Sequence, residues 1–267
     1  MYTPDFHKPP LKIISILYLL FVCFSAKAQY NETIRTARPG KSVGPFTTGK
    51  SIFQIQSGLN ILTLDNDEAD LYGNVVTQLN SLRYGVSERF EIRSAFSYSN
   101  QSIEIGDSES NSSGINLWNV GLRANLIDNA ASGKPSLGIQ GGVGLKTVSS
   151  DYEPEYLSPR LILILGMRLY KSVALTSNLG TQWSGSTGKQ FTFYTLNLSF
   201  ALTEKLRGFV ENYGIFQESE LTTRFDTGIG YLINKDLAVD ISTGYGDNNN
   251  QNDYFVDFGF SYRIKTN

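Results

Sequence analysis

From position 51 to the end of the chain, hydrophobic and polar residues alternate with a period of two. That is the spacing of a strand, not the 3.6 of a helix. In the last run Tyr254, Val256, Phe258, Phe260, Tyr262 and Ile264 share one face, and Phe255, Asp257, Gly259, Ser261 and Arg263 share the other. In the first, Phe53, Ile55, Leu59 and Ile61 oppose Gln54, Gln56, Gly58 and Asn60. The pattern predicts twelve strands, at 51–62, 72–86, 89–99, 114–127, 135–148, 158–170, 173–183, 190–202, 206–216, 222–234, 237–246 and 254–265. In two of them, 72–86 and 206–216, the assignment of faces is ambiguous.

The connectors alternate in length. Ser87-Glu88, Lys171-Ser172, Thr203-Glu204-Lys205 and Asn234-Lys235-Asp236 are tight turns, and 128–134, ending in Gly133-Lys134-Pro135, belongs with them. Between them lie polar connectors at 63–71, 100–113, 149–157, 184–189, 217–221 and 247–253. Short turns at one end and long loops at the other are the habit of outer-membrane barrels, and an even strand count leaves both termini in the periplasm. A soluble exported sandwich also alternates, but its strands average about 5–6 residues. Most of these runs have 10–14 residues, enough to cross a bilayer at a tilt. The expected fold is therefore all-β: a transmembrane antiparallel up-and-down β-barrel of about twelve strands, or eight or ten if a hairpin has been split.

The first 28 residues do not share this pattern. Lys8 and Lys12 precede an apolar run of 12 residues, 13–24, and Ala26-Lys27-Ala28 follows as a small-x-small cleavage pattern. Twelve residues are too few for a membrane helix, which needs about 20. The expected organisation is a cleaved signal peptide at 1–28, a periplasmic leader or small plug at 29–50, and the barrel at 51–267. Cys23 lacks the small residue that precedes a lipidated cysteine, so a lipoprotein is not expected.

Removing the signal changes the chemistry left to the chain. Its only Cys, Cys23, and its only His, His7, leave with it. Ser-His and Cys-His nucleophile pairs are then closed, as is a zinc site built on those residues. No enzyme, cofactor or metal is expected. With Lys8, Lys12, Lys27 and Asp5 gone, 20 basic residues face 24 acidic ones, and no basic patch suggests nucleic acid. The 25 Gly, 15 Tyr and 16 Phe suit a barrel that needs grease on only one face of each strand.

Gly44-Pro45-Phe46-Thr47-Thr48-Gly49-Lys50-Ser51 fits the phosphate-binding pattern G-x-x-x-x-G-K-[ST]. That loop should follow a strand and open a helix; here no apolar strand precedes it and a strand follows, so it reads as a leader into the first strand. Glycines 138, 141, 142 and 144 lie inside a strand pattern, where glycine eases curvature.

The informative polar set is Glu91, Arg93, Arg123, Arg160, Arg168, Asp226, Asp240, Asp257 and Arg263, each alternating with apolar neighbours. A charge facing lipid at mid-membrane costs a few kcal/mol, so these are expected to point inward. They either fill the lumen or line a water-filled path that biases what passes. The acids gather on the last three strands and Arg123, Arg160 and Arg168 on the fourth and sixth, which implies a field across the lumen.

Three segments carry a resemblance: Thr36-Ala37-Arg38-Pro39-Gly40 before Gln56-Ser57-Gly58-Leu59, the run Leu82-Arg83-Tyr84-Gly85-Val86-Ser87-Glu88-Arg89-Phe90-Glu91-Ile92-Arg93, and Gly208-Phe209-Val210-Glu211-Asn212-Tyr213-Gly214. Over residues 36–265 the chain resembles the MetA-pathway phenol-degradation family of transporter-like outer-membrane proteins. The resemblance implies a barrel in the bacterial outer membrane that moves small hydrophobic or aromatic solutes. It implies no site residue. Arg38-Pro39-Gly40 stands where an acidic residue often follows the proline. The chain ends Arg263-Ile264-Lys265-Thr266-Asn267 without the usual closing aromatic, for which Tyr262 can substitute.

The expected function is passive passage of a small solute. The alternatives are a filled barrel acting through its extracellular loops, with Asp65-Asn66-Asp67-Glu68-Ala69-Asp70 as an acidic candidate for binding a partner or calcium, and a lipid enzyme at the rim, which the lack of His disfavours. Expected partners are outer-membrane lipid, a small-molecule solute and, during biogenesis, the barrel-assembly machinery.

Overall fold

The computed structural model describes residues 32–129, 132–146, 148–248 and 251–266. The expected signal peptide lies outside them. Twelve strands run β1 (Ile52–Asn66), β2 (Leu71–Ser87), β3 (Phe90–Ile105), β4 (Ser108–Ile127), β5 (Ser136–Gly144), β6 (Ser158–Tyr170), β7 (Val173–Trp183), β8 (Gln190–Ala201), β9 (Leu206–Gln217), β10 (Glu220–Leu232), β11 (Leu237–Asn248) and β12 (Gln251–Lys265). Each pairs antiparallel with its chain neighbours, and β1 pairs with β12 from Ile52↔Lys265 to Asp65↔Asn252, so the sheet closes with no free edge. Closure satisfies every ladder without water, as a lipid environment demands.

The burial pattern is that of a soluble protein turned inside out. Among the described residues, buried polar side chains outnumber buried hydrophobic ones, while Leu122, Leu163, Leu196, Ile241 and Phe258 are exposed. Two aromatic girdles flank this outward apolar surface. Tyr84, Tyr170, Tyr231 and Tyr262 lie toward the end where β1 starts and β12 finishes; Tyr72, Tyr98, Trp183, Tyr245 and Tyr254 lie toward the other. Tyr72 and Tyr84 stand twelve residues apart on β2. At roughly 3.3 Å per residue and a tilt near 45°, that is about 28 Å along the membrane normal, the height of an outer-membrane barrel's apolar band.

The connectors at the end where β1 starts are short, as expected. Those at the far end are not the long loops that composition suggested. β3 and β4 continue pairing to Ile105↔Ser108 around a two-residue turn, Gly106-Asp107, with Gly106 at φ 56°. β9 and β10 meet at Glu218-Ser219, whose φ values of 49° and 74° fit a tight primed turn. β1 and β2 are joined by a single 3₁₀ turn, Asp67–Ala69, capped by Asn66. The connector after β5 is the real loop: that strand ends at Gly144, short of the expected 148, and the connector carries a 3₁₀ turn at Ser150–Tyr152. It folds onto β4, where Ser149 and Ile115 exchange hydrogen bonds of 3.0 and 2.8 Å.

Candidate functional site in the lumen

The segment before β1 runs around the inside of the barrel wall. At its start the Ile34 N–H donates to Lys235 O at the β10–β11 turn (2.8 Å), and Arg263 donates to Glu32 O (3.0 Å). The Arg38 guanidinium then reaches Asp240 on β11 (3.0 Å) and pairs with Asp257 on β12. Lys41 and Ser42 give their backbone N–H groups to the two oxygens of Glu211 on β9, at 2.5 and 2.8 Å. The Ser42 hydroxyl donates to Thr195 on β8 (2.6 Å). Val43 and the Asn178 amide on β7 exchange two hydrogen bonds, both 2.8 Å.

Past Val43 the segment continues in the same sense. Pro45 O accepts from Asn125 (3.1 Å) and Phe46 O from Arg123 (3.4 Å), both on β4. Thr48 N–H donates to Glu91 on β3 (2.9 Å), and Ser51 N–H to Gly85 O on β2 (2.8 Å). The leader thus meets the wall strands in descending order and then becomes β1. A segment with no regular structure must place its N–H and C=O groups somewhere, and here the wall side chains take them.

Glycine makes room for this path. Pro45 lies over Gly138 of β5 and Gly166 of β6, where an added Cβ would stand 2.9 and 2.8 Å from its atoms. At Gly58 and Gly259 an added Cβ would overlap the Arg38 guanidinium. The phosphate-pattern residues Thr47, Thr48 and Gly49 belong to this ring: Thr47 bonds Glu88 O (2.7 Å), and Gly49 abuts Gly85.

The wall is charged asymmetrically. On β2–β6, Glu91 accepts both arms of Arg83 (3.0 and 2.8 Å) and lies 3.6 Å from Arg123. Arg93 and Arg123 share the carbonyl oxygen of Gln140, and Arg160 lies over the Phe193 ring at 4.4 Å. Four guanidiniums therefore face one carboxylate. On β9–β12, Glu211, Asp226, Asp240, Asp253 and Asp257 face Arg38, Lys41 and Arg224. Burial opposes charge on Arg38, but Asp240 and Asp257 outweigh it and raise the guanidinium pKa above its usual value.

Of the nine residues marked out in the sequence, Glu91, Arg123, Asp240, Asp257 and Arg263 touch the leader directly. Asp226 pairs in register with Glu211, and Arg93 and Arg160 stand on the basic wall. Arg168 stands apart from them: it is exposed near the end of β6, where it lines the cavity beneath the ring. Sequence reading missed Arg83 and Glu211, which lie in the two strands with ambiguous faces, and Arg38 and Lys41, which lie where no periodicity exists. The turn gave no usable signal for Arg83: a regular tight turn at Ser87-Glu88 would set it opposite Ile92, and the bulge between Gly85 and Ser87 is what brings it opposite Arg93, diagonal to Glu91.

Below the ring, toward the end where β1 starts, a cavity of about 560 Å³ is bounded by Arg35, Pro39 and Phe46 of the leader and by Arg168, Lys134 and Arg207 of the wall. A small apolar cluster, Ile162, Ile164 and Phe193 with Val43 and Phe191, lies inside the barrel against the leader.

Residues 36–264 match the family model described as "Putative MetA-pathway of phenol degradation". No curated protein sequence matches the chain. Among solved structures, an outer membrane channel from Pseudomonas putida F1 is similar at 10% identity and a TM-score of 0.68, covering 86% of this chain and 100% of that one. The translocator domain of the autotransporter NalP from Neisseria meningitidis is similar at 13% identity and a TM-score of 0.51, covering 95% and 97%. At such identities these likenesses concern the fold, a barrel of the bacterial outer membrane.

Proposed function

The chain belongs to that phenol-degradation family, and from this premise and the lumen geometry we propose that it is a passive outer-membrane channel for small hydrophobic or aromatic solutes, narrowed by its own leader. The observation that carries the reading is the leader's place inside the wall. A barrel filled by its own side chains has no room for a length of backbone. This one takes up the leader and still leaves a cavity of about 560 Å³ beneath it. Twelve strands stand between the filled eight-stranded barrels and the open porins.

The way the leader is held supports the same reading. Its ties are mainly hydrogen bonds and ion pairs to a polar wall, with apolar packing at Val43 and Pro45. Such ties exchange with water at modest net cost, about 0.5–1.5 kcal/mol each for neutral pairs. The similar Pseudomonas structure is that of an outer membrane channel, which supports passage over catalysis. Lipid around the apolar belt and the barrel-assembly machinery complete the proposed partners.

The test is single-channel conductance of the refolded chain in a planar bilayer, starting at Gln29 and starting at Ser51. Discrete ionic steps that grow when the leader is removed are the expected result. Silence from both forms, with folding verified, overturns the channel and favours a filled barrel acting through its extracellular hairpins.

A further inference from the structure

Five inward positions lie on one row across the basic wall. Arg83 is in register with Arg93, Arg93 with Gly121, Gly121 with Gly142, and Gly142 with Arg160. Strands lie about 4.8 Å apart, so the Arg93 and Arg160 backbones are roughly 14 Å apart along the wall. Between them the wall is bare glycine. The result is a bay floored by backbone with a guanidinium at each side. It sits one inward position to the extracellular side of Glu91 and Ile162, which the leader contacts or packs beside.

The charges of this bay are not balanced by the protein. Glu91 is already engaged by Arg83, Arg123 and the Thr48 N–H. Arg93 has as hydrogen-bond partner the neutral Gln140 oxygen, which Arg123 also uses. Arg160 has no hydrogen bond or ion pair among the described residues; its Nε is buried without a partner, and its guanidinium lies on Phe193. Buried charge is costly unless paired, so the bay is complementary to an anion. Phe193 in turn packs on Ile162, Ile164 and Phe191, so the ground next to Arg160 is apolar and aromatic. An inorganic ion would use the guanidiniums and ignore that ground.

We propose that this bay binds a carboxylate carried on an aromatic or apolar body, with the carboxylate between Arg93 and Arg160 and the body against Phe193. The assignment names a substrate class for the channel read above, but its test does not require that anything pass through.

The test is calorimetric titration of the refolded, detergent-solubilised full mature chain in chloride-poor buffer, with benzoate as probe and benzamide and acetate as comparisons. One benzoate per barrel is expected, with benzamide and acetate each at least tenfold weaker. Arg93→Gln and Arg160→Gln should each weaken benzoate at least tenfold, while Lys189→Gln, the same charge change on an exposed loop, should not. Heat-modifiable gel mobility verifies that each variant is folded. Benzamide or acetate binding as well as benzoate, unchanged affinity in Arg160→Gln, or no binding by the folded wild type would each overturn the site. A barrel that conducts but does not bind benzoate loses the site alone; one that binds but does not conduct loses the channel alone.

Discussion

Glu211→Gln isolates the hold of the wall on the leader. Glu211 is 2% exposed, and its two oxygens accept the N–H groups of Lys41 and Ser42 at 2.5 and 2.8 Å. Hydrogen bonds to a charged group contribute about 1.5–3 kcal/mol each, neutral ones about 1. Glutamine keeps the shape and one neutral acceptor, so with the two charged bonds at the lower end of that range, about 1.5–2 kcal/mol each, the leader should lose about 2–3 kcal/mol of docking free energy. At 1.4 kcal/mol per tenfold, release of the leader becomes roughly 30–150 times more frequent. The barrel itself should be spared, because Asp226 lies in register with Glu211, and removing one of two like charges facing each other relieves repulsion. Amide hydrogen exchange reads both effects. The Lys41 and Ser42 amides should exchange about 30–150-fold faster, while those of the flanking β9 and β10 ladder stay protected. Unchanged exchange at 41 and 42, or equal acceleration in the strands, would refute the picture of an independently docked leader.

Other consequences are open to direct measurement. Gly166→Val puts a side chain where an added Cβ already stands 2.8 Å from Pro45; overpacking costs about 1–3 kcal/mol, and trypsin should cut after Arg35 and Lys41, whose following residues are Thr36 and Ser42, several-fold faster than in wild type. Glu91→Ala strands Arg83 and Arg123 beside a vacated acceptor, and breaking a buried pair costs about 3–5 kcal/mol, read as a lower midpoint of urea unfolding. Leu196, 48% exposed near the middle of β8, faces the apolar belt, so Leu196→Lys should destabilise the barrel by about 2–4 kcal/mol in lipid; a midpoint equal to wild type would count against that face meeting lipid.

The strands were legible because lipid imposes the alternation: each outward position must be apolar wherever the chain crosses the membrane. Beyond the belt that constraint ends. Positions 100–113 keep their ladder through β3 and β4, yet both faces meet water, so Asn100, Ser102, Glu109 and Ser112 follow no alternation and read as a loop. The charged wall was legible for the same reason as the strands, and with it the division between basic and acidic sides. The leader's path was not. Its ties run through backbone N–H and C=O groups at Lys41, Ser42, Val43, Pro45 and Thr48, and those groups are the same whatever side chain follows. Its reception is written in the wall, in Asn178, Glu211 and the glycines at 138 and 166, each unremarkable in its own strand.

Arg38 lies against Gly58 of β1 and Gly259 of β12 while pairing with Asp257 and Asp240. It therefore straddles the junction between the first strand made and the last. Its complete set of partners exists only once those two strands have met, so the leader works as a clasp that can fasten only on a finished ring. Biogenesis then has an ordered final step, in which the strands zip shut before the leader seats. In time-resolved refolding, protection of the Lys41 and Ser42 amides should lag behind protection of the β1–β12 ladder; leader protection that came first would reverse that order.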